Sequence, residues 1–458
     1  MLLRQFVIRG LGHASYLVGS DRDRTAAIID PRRDVDVYLE AAAEEELRIT
    51  TVLETHIHND YVSGARELVA RTGADHYLSG AAPVEFSVET LADGDVVALG
   101  EVELKAVETP GHTPDHMMYV AADASRSPDP WLAFTGGMLL VGDVGRPDLL
   151  GGPADAEKAA ARLWSSLTSK VVPLPDYVEV YPTHVAGSFC AANIGSRYSS
   201  TIGFERRHNA AFRAPDGQMF VAEQLRGLPP FPDYYRRMRP TNLAGPAILN
   251  GLPIPAPLPP FGVAARAETG AVLLDIRSPE AFGGAHIPGS INIGISESLG
   301  TWVGWLLSPE KPVIFVAEEH HHLEEAIRQL IRIGHEAIGG YLQGGIKAWV
   351  MDGRPTVTVP QMSVHELNEK RDEFTVLDVR QEREWTAGHL EGAEHMALPS
   401  LAGQAGKLDR QGKYATFCGS GYRSSIAASL LQSAGLTNVC NVVGSMAAWR
   451  SAGLPVVK

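Results

Sequence analysis

Apolar positions along the first half of the chain follow two alternating patterns. Short apolar runs, typical of buried strands, are separated by longer stretches in which apolar residues recur at helical spacing. The runs predict strands near residues 15–18, 26–29, 51–54, 102–107 and 131–134, and the helical spacing predicts helices near 35–47, 64–72 and 155–167. Such mixing of strands and helices predicts an α/β fold for this half.

A proline-rich segment ends that half of the chain. Gly251-Leu-Pro-Ile-Pro-Ala-Pro-Leu-Pro-Pro260 cannot form a helix interior or a central strand, because each proline lacks a backbone donor and has a fixed φ. We therefore predict one large domain over residues 1–245 and an extended, semi-rigid linker over residues 246–265.

The second half contains an internal repeat. An Asp-x-Arg motif, a later histidine and a terminal tryptophan occur twice in the same order, as Asp275, Arg277, His286 and Trp349 and again as Asp378, Arg380, His389 and Trp449. Several landmarks repeated in one order indicate a duplication. Each copy alternates apolar runs with helical patterns, which predicts two α/β domains with parallel sheets, over residues 266–357 and 360–458.

Composition limits the class of protein. The 458 residues have 45% hydrophobic content and a formal charge of −14, as in a soluble protein whose main partner is not nucleic acid. No apolar stretch approaches the roughly 18 residues that span a bilayer. The first residues show no secretion signal, and three cysteines make no disulfide framework, so we predict a cytoplasmic protein, with homo-oligomerisation left open.

Histidines and an aspartate in the first half form a candidate metal site. His56, His58 and Asp60 follow the apolar run at residues 51–54, and His112 lies in a distant Gly-His-Thr-Pro turn. Two imidazoles one residue apart on a loop can reach a single ion, and imidazole with carboxylate suits zinc, iron or manganese better than magnesium or calcium.

These motifs resemble those of the metallo-β-lactamase superfamily. Its His-x-His-x-Asp-His motif is present except that Tyr61 replaces the last histidine, which favours one metal over two. Within the superfamily the chain is most similar to the persulfide dioxygenases fused to rhodanese domains, as the segments Gly142–Asp148 and Tyr181–Cys190 also indicate. The resemblance implies an αββα sandwich for residues 1–245.

The resemblance also implies the metal and its ligands. That family holds one Fe(II) with two histidines and one aspartate, and His56 and His112 match the two histidines. The family's aspartate would stand at Gly137, in Phe-Thr-Gly-Gly. Asp143 is the nearest substitute, and Asp60 or His58 could also complete the shell. Zinc stays open as the metal.

A cysteine loop near the C-terminus forms a second candidate site. Cys418 lies between an apolar run and a helical segment, so backbone N–H groups and the positive end of the helix dipole favour its thiolate. The loop resembles the rhodanese active site. This assigns catalysis to Cys418 and Arg423, and substrate binding to five further loop residues: Gly419, Ser420, Gly421, Tyr422 and Ser424.

The first copy of the repeat has no cysteine at the equivalent place. Its apolar run at residues 313–316 is followed by Ala317, Glu318 and Glu319, and the two carboxylates would repel a persulfide anion. Residues 266–357 therefore resemble an inactive rhodanese.

The resemblance implies an enzyme of sulfide or persulfide metabolism. The metal domain would oxidise a low-molecular-weight thiol persulfide, such as that of glutathione, to sulfite, and Cys418 would transfer sulfur to or from thiosulfate or sulfite. Arg146 could bind a substrate carboxylate or form an internal ion pair with Asp148. A zinc-dependent thioester hydrolase, and a sulfur carrier or sensor with a decayed metal site, remain alternatives.

Overall fold

The computed structural model describes residues 1–458. Contacts divide the chain into two units, Met1–Leu252 with Ile331–Gly334, and Pro253–Leu330 with His335–Lys458. None of the helices is both long and apolar enough to cross a membrane.

The first unit contains twelve strands and six α-helices. The strands are Leu2–Ile8 (β1), His13–Ser20 (β2), Thr25–Ile29 (β3), Arg48–Leu53 (β4), Asp75–Ser79 (β5), Glu89–Leu91 (β6), Val96–Leu99 (β7), Val102–Glu108 (β8), Met117–Asp123 (β9), Leu132–Gly136 (β10), Glu179–Pro182 (β11) and Ser200–Thr201 (β12). The helices are Asp36–Glu44 (α1), Ala65–Thr72 (α2), Pro153–Ser166 (α3), Ile202–His208 (α4), Gly217–Gln224 (α5) and Tyr235–Ala244 (α6). All five strands and three helices predicted from the apolar pattern are present.

Two six-stranded sheets form the middle of this unit, in the orders β1-β2-β3-β4-β5-β6 and β12-β11-β10-β9-β8-β7. Successive side chains of a strand point to opposite faces, so Tyr16 and Val18 lie in the core between the sheets. Leu17, on the other face, packs in a core with residues of α1 and α2. A third core joins the second sheet to α3 and α5 through Leu163 and Phe220. The unit is therefore the predicted αββα sandwich.

The second unit contains ten strands and ten α-helices. The strands are Pro257–Leu258 (β13), Val272–Asp275 (β14), Ile291–Asn292 (β15), Val313–Val316 (β16), Ile338–Leu342 (β17), Gln361–Met362 (β18), Thr375–Asp378 (β19), Glu394–His395 (β20), Tyr414–Phe417 (β21) and Val439–Val442 (β22). The helices are Pro260–Glu268 (α7), Pro279–Gly284 (α8), Leu299–Leu306 (α9), His320–Arg332 (α10), Gly345–Met351 (α11), Val364–Glu369 (α12), Glu382–Thr386 (α13), Leu398–Gln404 (α14), Tyr422–Ser433 (α15) and Ser445–Ser451 (α16).

Two five-stranded parallel sheets confirm the duplication. Their orders, β13-β17-β16-β14-β15 and β18-β22-β21-β19-β20, are the same when the strands of each copy are counted in sequence. The repeated motifs also make the same contacts. Arg277 pairs with Asp275 as Arg380 pairs with Asp378, and each terminal tryptophan donates its indole N–H to a backbone carbonyl six residues later.

The linker is shorter than the predicted range of residues 246–265, because part of the proline-rich segment forms regular structure. Pro257–Leu258 forms β13, which pairs with β17 at the edge of its sheet, and α7 begins at Pro260. A proline is tolerated on an edge strand and in the first turn of a helix, because neither position requires its missing N–H. The last residues of this segment therefore belong to the first repeat.

Candidate functional site

Loops at one end of the sandwich bring the candidate metal ligands together. His56 follows β4, His112 lies between β8 and β9, and His184 follows β11. The parallel pairing of β10 with β11 places the end of β11 beside Gly136, and Thr183 donates its N–H to the Gly136 carbonyl at 3.0 Å. Three imidazoles, those of His56, His112 and His184, have ligand atoms within 4.8 Å of one another, and all three residues are buried.

Hydrogen bonds leave the Nε2 atoms of two imidazoles available. The Thr55 hydroxyl donates to Asp30 at 2.8 Å, so it accepts from Nδ1 of His56 at 2.9 Å. Nδ1 of His112 donates to the Arg146 carbonyl at 2.9 Å, and its Nε2 is buried without a partner. Burial and the neighbouring imidazoles hold the pKa of His56 and of His112 well below the usual range. Both rings are therefore neutral, as metal ligation requires.

The donor set fits a metal ion. Nε2 of His184 lies 3.3 Å from Nε2 of His56. Two nitrogens bound at about 2.0–2.1 Å to a tetrahedral ion would stand about 3.3–3.4 Å apart. This distance fits either an N–H···N hydrogen bond or two nitrogens that share a metal ion. The Nε2 of His112, buried beside them without a partner, favours the metal ion.

His184 lies in a region that favours positive charge. Burial opposes the imidazolium, but the nearby Cys190 and Asp60 outweigh burial and raise the pKa of His184 well above its usual range. Burial likewise opposes the charged form of Asp60, but His184 holds the pKa of this carboxyl below its usual range. The closest approach is 3.1 Å, between Nδ1 of His184 and Oδ2 of Asp60. A proton or a metal ion at His184 is stabilised by the same carboxylate.

His58 and Asp60 belong to a second group with His184. Nε2 of His58 donates to Oδ1 of Asp30 at 3.1 Å, and its Nδ1 is buried without a hydrogen-bond partner. Oδ2 of Asp60 pairs with His184, and its Oδ1 is buried without a partner. The predicted ligand His58 thus lies beside the three imidazoles, with its ring centre 4.2 Å from that of His56.

Asp143, predicted as the substitute for the missing aspartate, is not in either group. Its carboxylate accepts backbone N–H bonds from Val144 and Asn193, each at 2.9 Å, and burial raises its pKa. The carboxylate therefore caps a loop, and its backbone bonds explain why it does not turn toward the imidazoles.

Gly137 leaves no room for the family's aspartate. A Cβ atom at this position would stand 2.2 Å from Cδ2 of His112 and 2.8 Å from its Nε2. The His112 ring therefore occupies the space into which a side chain at residue 137 would project. His184, in the segment Tyr181–Cys190, places a third imidazole beside His56 and His112.

Asp30, which follows β3, holds the loops of this site together. Its buried carboxylate accepts from the backbone and hydroxyl of Thr55, from His58 and from the Thr183 hydroxyl. Burial opposes the charged form, but the His58 ring and these donors lower the pKa of Asp30. The residue thereby positions His56 and His184 from opposite sides, and its φ of +52° shows a strained backbone.

Arg146 is engaged inside the protein. Its guanidinium makes a bidentate ion pair with Asp148 at 2.6 and 2.8 Å and donates to the carbonyls of Phe189 and Pro229. Of the two roles that the sequence left open for Arg146, substrate binding and an internal ion pair with Asp148, these contacts match the ion pair. The contact orients the Arg146 carbonyl that accepts from His112.

In the second unit, Cys418 lies between β21 and the N-terminus of α15. Gly421 donates its N–H to the Cys418 sulfur at 3.2 Å, and the Ser424 hydroxyl lies 3.5 Å from the sulfur. Gly421 has φ of +105°, a conformation that glycine adopts readily and that begins the helix. The predicted cradle of amide and helix dipole is thus present at Cys418.

Arg423 is paired with a residue that sequence reasoning missed. Its guanidinium makes a bidentate ion pair with Glu384 at 2.6 and 2.7 Å. Burial opposes the charged forms of both residues, but their ion pair lowers the pKa of Glu384 and raises the pKa of Arg423. Cys418 also raises the pKa of Arg423. A Cβ atom at Gly419 would stand 3.0 Å from Nη2 of Arg423, so a glycine there lets the arginine cross the loop. Ser420 is exposed at the loop tip.

In the first copy, Ala317 follows β16 at the place of Cys418, and Glu318 and Glu319 are exposed. No sulfur is available there.

Together these features define a metal-binding αββα sandwich followed by two rhodanese-type domains, one of which has the cysteine. Comparison with known proteins agrees. The model of the metallo-beta-lactamase superfamily matches residues 8–184, and the rhodanese-like domain matches residues 262–352 and 363–452.

Three relatives indicate the range of chemistry in this family. A metallo-beta-lactamase from Staphylococcus aureus has 32% identity and a TM-score of 0.69, with 74% of this chain and 98% of that chain covered. The mitochondrial persulfide dioxygenase ETHE1 of Bos taurus is 31% identical over 40% of this chain and 68% of its own length. A hydroxyacylglutathione hydrolase of Maricaulis maris is 30% identical over 51% of this chain and 81% of its own length. The chain belongs to the metallo-beta-lactamase superfamily, as a fusion of that domain with two rhodanese-like domains.

Proposed function

We propose that this chain is an enzyme of persulfide metabolism in which Cys418 transfers sulfane sulfur and the metal domain oxidises a low-molecular-weight thiol persulfide. The observation that carries the proposal is the Gly421 N–H directed at the Cys418 sulfur, at the start of α15. The persulfide dioxygenase relative and the rhodanese-like domains support the same substrate class.

Sulfur transfer at Cys418 would proceed in two displacements. The thiolate attacks the outer sulfur of thiosulfate, the S–S bond of thiosulfate breaks, and sulfite leaves with the electron pair. An acceptor thiolate or sulfite then attacks the outer sulfur of the Cys418 persulfide and restores the thiolate. The Gly421 N–H and the dipole of α15 stabilise the negative sulfur in both states.

In the metal domain, His56, His112 and His184 would hold the ion. With a ferrous ion bound, the centre would supply the oxidation in which a persulfide, oxygen and water give sulfite and free thiol. The protein's own contribution is to fix the imidazoles through Thr55 and the Arg146 carbonyl. Asp60 provides the negative charge that stabilises a cation at His184.

A cavity of about 320 Å³ beside His112 suits an anionic substrate. Its lining includes His112 and three charged residues of α3, Asp155, Lys158 and Arg162. The carboxylate of Asp155 lies 3.8 Å from Nζ of Lys158, and the two exposed cations outnumber it. Carboxylates of a substrate such as glutathione persulfide would pair with these cations while its sulfur reaches the imidazoles.

Zinc-dependent thioester hydrolysis is the second candidate, and the donor set favours it. Three imidazoles without a carboxylate are a common zinc shell, as in sites that activate water, whereas non-heme iron oxygenases use two histidines and one carboxylate. The hydroxyacylglutathione hydrolase relative supports this candidate.

Elemental analysis of freshly purified protein, combined with an oxygen electrode and glutathione persulfide, separates these functions. Iron with oxygen uptake supports persulfide oxidation, and zinc with thioester cleavage supports hydrolysis. Protein without metal that still forms a Cys418 persulfide would instead be a sulfur carrier with a decayed metal site.

Cys418→Ser tests the sulfur-transfer step. We expect it to abolish thiosulfate sulfurtransferase activity and to leave metal content unchanged, because the serine hydroxyl does not form a persulfide. Cys440→Ser is the control, since Cys440 is buried in β22 and burial raises its thiol pKa to about 12. Activity that survives in Cys418→Ser would contradict the assignment.

A further inference from the structure

The first rhodanese copy, which has no cysteine, contacts the cysteine loop of the second through Tyr422. This tyrosine is the first residue of α15 and directly follows Gly421. Its hydroxyl donates to the Gly294 carbonyl at 2.8 Å and accepts from the Ser296 hydroxyl at 2.9 Å. Both partners follow β15 of the first copy.

A second group of contacts holds the same helix on the first copy. Ser425 donates its hydroxyl to Oδ1 of Asn292 at 2.6 Å, and the N–H of Asn292 donates to the Ser429 hydroxyl at 3.0 Å. The Asn292 amide is itself fixed, because its Nδ2 donates to the carbonyls of Asp275 and Arg277 at 3.0 Å each. These side chains are buried, so their bonds are protected from water.

The loop needs such support because of its own sequence. Two of its residues, Gly419 and Gly421, have little intrinsic conformational preference, so the position of the Gly421 N–H is not set by the loop alone. The Gly421 N–H lies in the Ser420–Gly421 peptide plane. Rotation about the Gly421 N–Cα bond, with φ of +105°, sets the direction of this plane relative to Tyr422, the next residue. A tyrosine held at two atoms of the other copy therefore restrains the donor that lies 3.2 Å from the sulfur.

We propose that Tyr422 is a positioning residue through which the cysteine-less rhodanese copy holds the sulfur-binding loop of the active copy in its working conformation. The inference rests on the proposed sulfur transfer at Cys418. It gives the first copy a function that requires no cysteine. Gly294 and Ser296 would support the reaction at Cys418 through Tyr422, without contact with the substrate.

The test compares Tyr422→Phe and Ser296→Ala with wild type in the full chain. Tyr422→Phe removes both hydroxyl contacts and keeps the ring, and Ser296→Ala removes one contact from the first copy without changing the loop. Tyr414→Phe is the matched control, because its hydroxyl donates to the Asp409 carbonyl at 3.1 Å within the second copy. Three quantities are measured: kcat and KM for thiosulfate, the pH dependence of Cys418 alkylation by iodoacetamide followed by peptide mass spectrometry, and the Tm.

We expect Tyr422→Phe to lower kcat about fivefold to tenfold with little change in KM, as loss of one oriented hydrogen bond allows. The alkylation midpoint should move to higher pH, since a less well placed N–H stabilises the thiolate less. Ser296→Ala should change kcat and the alkylation midpoint in the same directions as Tyr422→Phe, but by less. Tyr414→Phe should lower the Tm without either effect.

Two results would overturn the inference. One is Tyr422→Phe with wild-type kcat and a wild-type alkylation profile, even if the Tm falls, because the contact would then only join two domains. The other is an equal kinetic effect in Tyr414→Phe. Wild-type protein without any sulfurtransferase activity would refute the proposed function instead, and the alkylation profiles would still decide whether Tyr422 controls the cysteine.

Discussion

Substitution of Gly137 by alanine should disturb the metal centre through a single methyl group. The new Cβ would stand 2.2 Å from Cδ2 of His112, and ordinary contact begins near 3.4 Å, so the ring must move by about 1.2 Å. His112 has little freedom to do so, because Nδ1 is bound to the Arg146 carbonyl and the ring packs against Gly145.

Such a displacement exceeds what a metal ion accepts. Coordination distances vary by only about 0.2 Å around a typical value, so a nitrogen displaced by about 1 Å no longer binds well. We expect affinity for zinc to fall on the order of 10- to 100-fold, as when the orientation of a ligand is disturbed. Competition with a chromophoric chelator measures this change in the full chain.

Gly152→Ala is the control, because no heavy atom lies within 4 Å of the new Cβ. Gly137→Asp, which restores the residue that the family has at this position, should also weaken binding because its Cβ meets the same ring. Unchanged affinity in Gly137→Ala, or tighter iron binding in Gly137→Asp, would show that His112 does not occupy the place of the missing carboxylate.

Three further predictions address other residues. His184→Ala should lower metal occupancy strongly and Asp143→Ala should not, because of these two residues only His184 lies among the imidazoles. Elemental analysis measures the occupancy, and loss of metal in Asp143→Ala would favour Asp143 as a ligand. Lys158→Glu should raise KM for glutathione persulfide several-fold with kcat nearly unchanged, and an unchanged KM would remove Lys158 from substrate binding. Glu384→Gln should cost about 0.5–1 kcal/mol at pH 7, allowing for solvent screening of this half-exposed pair. The ion pair with Arg423 lowers the pKa of Glu384, so the pair stabilises the fold above the pH range in which an ordinary carboxyl titrates, and this stabilisation is lost as pH falls. The urea unfolding curves of the mutant and the wild type should therefore converge below about pH 4.

Local signals in the sequence were sufficient for the fold and for locating two imidazoles of the candidate metal centre and the cysteine loop. Apolar periodicity located the strands and helices, since burial of one face imposes that spacing. His56, His112 and Cys418 each lie in a short motif at the end of a strand, and loops at strand ends meet at one edge of a sheet. The repeated Asp-x-Arg motif predicted two copies of one domain, because each copy makes the same internal ion pair.

Contacts between distant segments decided the rest. His184 lies in the segment Tyr181–Cys190, which the sequence singled out, but its place beside His56 and His112 depends on the pairing of β11 with β10. The carboxylate of Asp143 is drawn to backbone donors on another loop, and Arg423 is paired with Glu384, 39 residues away in sequence. Tyr422 contacts the other rhodanese copy. Residue type sets what a side chain can bind, but which partner it reaches depends on the packing of strands and helices that are far apart in the chain.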